Sequence, residues 1–335
     1  MYKKFIVPVF ILSLFSSICF SQIGLNKVAQ STMNFLLVST SPRASAIGEA
    51  FTTLGTGSES MFYNPAGLAI MKKDFDININ YTKWIADINY LGGGAAYNLG
   101  NYGVVGVNIL TVDYGEIHGT SLLTASEKYI YQEGFKDNGL LSNVGAYSVG
   151  ISYAKAISTQ FSIGGNVKLV GQNLGESRLS NGYIKKNNVA KLAFDAGVRY
   201  LTGFKSFGFG MMIRNFASNI KREEIDEQLP LMFTLGAGMN VMELIDDAQT
   251  NSLYMAVDFV HQNNYSERVN FGMEFKFMDM LSLRGGYQTN RDLASWSGGI
   301  GLNTSVSDYD IELNYSYSRF EIFDSVSRLS LVFTF

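Results

Sequence analysis

The chain is short of cysteine, histidine and charge, and beyond its first two dozen residues it has no long apolar run. Each shortage removes a class of protein. The single cysteine is Cys19, which falls in the leader described below, so the mature chain would carry no thiol, disulfide or thiolate metal site. The histidines, His118 and His261, are far apart and near expected loops, so no zinc-ligand spacing exists. No Gly-rich loop ends in Gly-Lys-Ser/Thr. Gly92-Gly93-Gly94 runs into alternating strand residues, which reads as a close-packed or bulged strand. No cofactor, metal or catalytic set is expected, and the chain does not read as an enzyme. Charged residues are 16% of the chain, against about 25% in soluble domains. A net charge of −3 gives no electrostatic case for nucleic acid. Membrane-spanning helices need about 20 consecutive apolar residues, and none follows the leader. Yet hydrophobic residues are 47%, with 34 Gly, 19 Tyr and 24 Phe. Strands with an apolar outer face and a polar inner face sum to such a composition.

Residues 1–21 read as a signal peptide. Lys3 and Lys4 are basic, Phe5 to Phe15 is apolar apart from Pro8 and Ser13, and Cys19 and Ser21 are the small residues before a cut at Gln22. A lipoprotein signal on Cys19 is the alternative, but Ile18 stands where a small residue is required.

Residues 73–335 read as a transmembrane antiparallel β-barrel of about fourteen strands, an all-β fold placed in the bacterial outer membrane. Segments of about ten residues alternate in polarity and are split by turn residues. In Arg268 to Phe277, Val269, Phe271, Met273, Phe275 and Phe277 share one face, opposite Asn270, Gly272, Glu274 and Lys276. Tyr309 to Ser318 and Lys191 to Tyr200 separate in the same way, because strand side chains alternate sides. Connections alternate too. Short ones fall near Gly100, Ser158, Gly203, Asp279 and Ser307; long ones cover Gly115 to Ser142, Gly175 to Val189 and Ala217 to Leu229. The stretch at 241–251 is long for its side. A soluble β-sandwich also alternates, but its water-facing side would be richer in Lys and Glu than faces carrying Gly164, Gly197, Gly272 and Gly299.

The last strand sets Leu329, Leu331, Phe333 and Phe335 against Arg328, Ser330 and Thr334. A strand ending in an aromatic can pair by edge addition. Phe333 and Phe335 are therefore expected to serve as a signal for the barrel-assembly machinery. Inside the barrel, Lys191, Asp195, Arg199, Arg268, Glu274, Arg284, Asp310 and Glu312 are expected to bridge one another and hold a plug, since charges need partners where water is scarce. A selective ion path is the alternative use of such a set.

Residues 22–72 do not alternate. Their apolar content (Phe35, Leu36, Leu37, Ile47, Phe51, Leu54) predicts a plug packed in the barrel mouth, with a periplasmic linker as the alternative. Asn64-Pro65 is a turn initiator, and Gly67 allows a positive φ.

Arg43 to Phe51, including Gly48, and Asn64-Pro65-Ala66-Gly67-Leu68 resemble the PorV/PorQ family of outer-membrane barrels, the second motif favouring the PorV side. That family is distantly similar to the long-chain fatty-acid transporters. The resemblance continues at Thr82 to Ile88, Phe161 to Gly165, Leu201 to Lys205, Asp258 to His261, Glu267 to Asn270 and Leu283 to Tyr287, and so spans nearly all the mature chain. It implies a roughly fourteen-stranded barrel of the type IX secretion system that binds, shuttles or scaffolds secreted cargo at the cell surface. Its partners would be outer-membrane lipid, secretion components and cargo C-terminal domains. Loop aromatics Tyr129, Tyr131 and Phe135 are the candidate contacts. The alternative function, by analogy with the fatty-acid transporters, is a channel for hydrophobic small molecules, which requires an apolar site between plug and wall.

Overall fold

The computed structural model describes residues 31–335 except 132, 142–143, 179–182, 223–224, 246–249, 292–294, 321–322 and 324, so the leader lies outside the described residues. Alternating residues zigzag to opposite faces, and strands form wherever that alternation runs unbroken. The first half supplies β1 (Phe75–Lys83), β2 (Asn89–Asn98), β3 (Val104–Asp113), β4 (His118–Leu122), β5 (Phe135–Leu140), β6 (Gly145–Ala156), β7 (Phe161–Arg178) and β8 (Ile184–Leu201). There follow β9 (Gly208–Phe216), β10 (Ile220–Arg222), β11 (Ile225–Glu227), β12 (Met232–Asn240) and β13 (Ser252–Gln262). The chain finishes with β14 (Tyr265–Phe277), β15 (Leu281–Gln288), β16 (Trp296–Val306), β17 (Tyr309–Ser318) and β18 (Val326–Thr334).

These strands close into one antiparallel barrel in the order β1-β18-β17-β16-β15-β14-β13-β12-β9-β8-β7-β6-β3-β2, which is fourteen strands. Closure leaves no unpaired edge, as hydrocarbon demands. The remaining strands form two small hairpins, β4-β5 and β10-β11, on the long connections. The seam joins β1 to β18, from Asp76↔Thr334 to Lys83↔Ser327. Phe75 and Phe335 extend it with reciprocal backbone hydrogen bonds of 2.8 and 3.0 Å, and their rings stack at 4.9 Å. Tyr97, Tyr309 and Phe333 continue this aromatic rim, a girdle of the sort that sits at a membrane interface.

The two faces fall as the alternation demands. On β14, Phe271 and Met273 are exposed outward (45% and 50%), whereas Asn270 and Glu274 are buried inside. On β18, Leu329 and Leu331 face out, and Arg328 and Ser330 are buried. The sandwich alternative is excluded by closure. One loop differs from expectation. Gly175 to Val189 is mainly strand, because β7 and β8 stay paired as far as Arg178↔Ile184 and project as a ribbon past their neighbours. The 241–251 connection contains a short 3-10 turn, Val241–Leu244.

Residues 31–74 run through the lumen. At the outer mouth Ser31 bridges Gln228, and at the periplasmic rim Lys73 pairs with Asp310 at 2.7 Å. Between them the segment forms α1 (Pro42–Ala46), N-capped by Ser41, and 3-10 turns at Gly57–Phe62 and Pro65–Ile70. It lies against the inward glycines. A Cβ on Gly286 would overlap the backbone of Ile47 and Gly48, whereas one on its outward neighbour Gly285 meets nothing. Gly286→Ala should therefore cost about 1–3 kcal/mol through overpacking, and Gly285→Ala no more than about 0.5 kcal/mol. Thermal unfolding of the detergent-solubilised barrel checks this. Equal effects would mean that the plug does not touch β15.

Candidate functional site in the barrel lumen

The plug is fixed first by backbone geometry. Gly48 takes φ +64, which glycine adopts without strain. Asn64 accepts from Ala66 N at 3.1 Å, and its amide donates to Thr52 O and Val198 O at 3.0 and 3.1 Å. Pro65 and Ala66 pack on Gly164 of β7, and Asn64 packs on Gly197 of β8. Leu68 is fully buried. Gly67 does not use the freedom of a positive φ. It is needed because a Cβ there would overlap Gly55 O.

The charges expected in one network divide into groups. At the centre Arg43 of the plug makes paired bonds to Glu274, 3.0 Å from Nε and 2.9 Å from Nη2. Arg284 donates to the same carboxylate at 2.7 Å and reaches Glu312 at 3.0 Å and Asn314 at 2.5 Å. A second clamp sets plug Glu49 against Arg268 and Arg291 at 3.7 and 3.4 Å. Asp195 pairs with Lys168 at 2.8 Å. Lys191 and Asp310 sit at opposite mouths: Lys191 donates to Asn219 O at 2.9 Å, and Asp310 is the partner of Lys73. Arg199 is in none of these pairs, although it lines one cavity with Arg43, Asp310 and Glu312. Buried ion pairs with complete hydrogen bonding hold position without necessarily adding stability.

The outer end of the lumen holds an apolar cluster. Inward residues Tyr90, Leu110, Val112, Ala146, Val170 and Ala193 form one cluster with Ile220 and Leu229 of the outer loop. The chain's own Met33 and Phe35 fill it, with Leu36 and Val38 packed alongside. Beneath lies a polar floor. Lys168 Nζ donates to Asn215 Oδ1 at 2.7 Å, Asn215 N donates to Asp195 at 2.7 Å, and Arg214 donates to Phe62 O at 2.5 Å while lying over the Tyr63 ring. Between floor and apolar segment is a cavity of about 40 Å³ lined by Leu36, Val38, Phe62, Leu110, Lys168 and Arg214. That is room for a water or two. A larger guest requires Met33 to Val38 to move.

Sequence reasoning missed this apolar chamber and its floor residues Lys168 and Arg214. The signal was present. Runs such as Val104 to Val112 and Val167 to Val170 carry apolar residues on both faces, which departs from plain apolar-out, polar-in alternation. The histidines lie on the outer side. His118 pairs with Asp137 at 2.8 Å and His261 with Glu267 at 3.2 Å. The Gly139 N–H and His118 together hold the Asp137 carboxyl below its usual range.

A closed fourteen-stranded barrel with a lipid-facing apolar belt and a plugged lumen is a bacterial outer-membrane barrel protein. No family model matches the sequence, and no curated protein matches it. Solved structures do match in fold. The Ralstonia pickettii toluene transporter TbuX is 14% identical, with a TM-score of 0.55 over 89% of this chain and 98% of its own. The CymD monoaromatic hydrocarbon channel is 12% identical, with a TM-score of 0.57 over 89% and 98%. A Pseudomonas aeruginosa FadL homologue is 12% identical, with a TM-score of 0.51 over 88% and 97%. At these identities the likeness shows the fold alone. It agrees with the fatty-acid-transporter side of the sequence resemblance and does not establish PorV/PorQ membership.

Proposed function

We propose that this chain is an outer-membrane channel for small hydrophobic molecules, gated by its own N-terminal segment. The observation that carries this reading is the cluster of inward apolar residues at the outer end of the lumen. Polar residues would satisfy a mere structural plug there, whereas apolar walls accept hydrocarbon once the segment at Met33 to Val38 withdraws. The fold shared with a toluene transporter and a monoaromatic hydrocarbon channel supports the same reading. Partners on this reading are outer-membrane lipid and, during biogenesis, the barrel-assembly machinery through Phe333 and Phe335. Proteoliposomes carrying the protein should take up radiolabelled toluene faster than empty vesicles, and Leu110→Asn should remove most of that gain while leaving the barrel folded. Uptake equal to that of empty vesicles, or unchanged by Leu110→Asn, would reject the channel.

The cargo-binding reading implied by the PorV resemblance has one observation in its favour. The outer hairpins expose apolar side chains, with Leu122 93%, Tyr129 92%, Ile130 72% and Ile225 71% exposed. Phe135 is also exposed, and Tyr131 is half-buried. Deleting residues 116–141 should then abolish co-purification of secretion components and cargo. A deletion that leaves secretion and co-purification intact rejects this second reading.

A further inference from the structure

At the periplasmic end, on the far side of the plug from the apolar chamber, lies a second cavity of about 570 Å³. Its lining includes Arg43, Glu59, Asp76, Lys73, Asp310 and Glu312, and most of these are already committed. Arg43 is held by Glu274, Lys73 by Asp310, and Glu312 by Arg284. Glu59 accepts from Ser41 Oγ at 2.6 Å, and Asp76 accepts from Ser58 N at 2.8 Å and Thr334 Oγ1 at 3.1 Å.

Besides the exposed Lys72, two cations in the lining are not committed. Arg199 of β8 has buried Nε and Nη1 atoms with no protein hydrogen-bond partner. Lys276 of β14 makes no ion pair among the described residues, and its Nζ lies 5.9 Å from the centroid of the Tyr254 ring on β13. In the barrel order β8 and β14 flank β9, β12 and β13, and Arg199, Tyr254 and Lys276 line the same cavity. Leu54 and Leu201 add apolar surface to the same wall. A guanidinium carries five N–H donors and cannot shed its charge. Burying it without a partner is costly, so the unpaired Nε and Nη1 call for a partner from outside the chain, such as water, an ion or a ligand.

We propose that this chamber binds a small organic carboxylate entering from the periplasmic side. Its oxygens accept from the Arg199 guanidinium and the Lys276 ammonium, the Tyr254 hydroxyl donates a third bond, and its apolar body lies on Leu54 and Leu201. The carboxylate is favoured over a bare oxyanion because aliphatic and aromatic surface adjoins the cations. The site is independent of hydrocarbon passage through the outer chamber.

Radiolabelled benzoate is the probe, measured by equilibrium dialysis against the full chain in detergent. Saturable binding of one benzoate per barrel is expected. Arg199→Gln and Lys276→Met should each weaken it at least about tenfold, the scale of a lost charge-assisted hydrogen bond, and Arg199→Lys should retain more affinity than Arg199→Gln. Toluene should not compete. A heat-modifiable gel shift shows whether each variant is folded. Should one fail to fold, photolabelling of the unaltered chain with 4-azidobenzoate gives the answer, since adducts should map to Leu54, Leu201 or Tyr254. No saturable binding, adducts confined to the outer chamber, or inorganic phosphate competing as strongly as benzoate overturns the assignment.

Discussion

Glu274→Gln should loosen the plug by about 3–5 kcal/mol, the cost of removing one partner from a buried ion pair. The carboxylate is completely buried and receives bonds from both Arg43 and Arg284. Its loss leaves Arg284 with Glu312 and Asn314, but it strips Arg43 of its ion pair. A guanidinium anchored on α1 would then face the lumen uncompensated, and the surrounding plug would open first. The measurements are protease cleavage near Arg43, ion conductance in planar bilayers, and the temperature at which the folded gel band is lost. Faster cleavage and higher conductance are expected. A variant matching the parent in all three would show that the plug is held by packing alone. The substitution escapes any lipid penalty, as the inward face of Glu274 requires; its effect comes from the pair it breaks.

The second large effect is on the opposite face. Phe271→Arg, at the middle of β14, should destabilise the inserted barrel by about 2–4 kcal/mol, because a charge at the bilayer midplane has no water and no counter-ion. Phe271 is 45% exposed on the outer surface and flanked there by Val257 and Tyr287 on the adjoining strands. Urea-induced unfolding from lipid vesicles measures it. An unchanged midpoint would put this face in water and remove the membrane assignment.

The barrel was legible because its signal is local. Each strand states its own two faces, and Arg268 to Phe277 shows them without help from the rest of the chain. The number of strands and the inward direction of Glu274, Arg284 and Asp195 followed from the same pattern. Pairing was not legible. Arg43 meets Glu274 across 231 residues of sequence, and no periodicity encodes which lumen carboxylate a plug arginine will reach. Glu49, Lys168 and Arg214 were missed for that reason, and Arg199 was grouped with charges that it does not touch. The reason for the inward glycines was also hidden. They read as small lumen residues, whereas Gly164, Gly197, Gly272 and Gly299 trace the path on which the plug rests. The apolar chamber was legible in principle, since Leu110 and Val112 stand at polar positions, but weighing outward faces alone passed over it.

The route of residues 31–74 constrains the order of assembly. Ser31 rests against the outer loops while the next strand, β1, rises from the opposite rim. The segment thus fills the full height of a ring whose last joint, β1 against β18, links positions as distant as Asp76 and Thr334. A ring already shut would have to be threaded through its narrow, side-chain-filled bore. Insertion of the plug before closure avoids that threading, so the wall is expected to zip around its own contents rather than be filled afterwards.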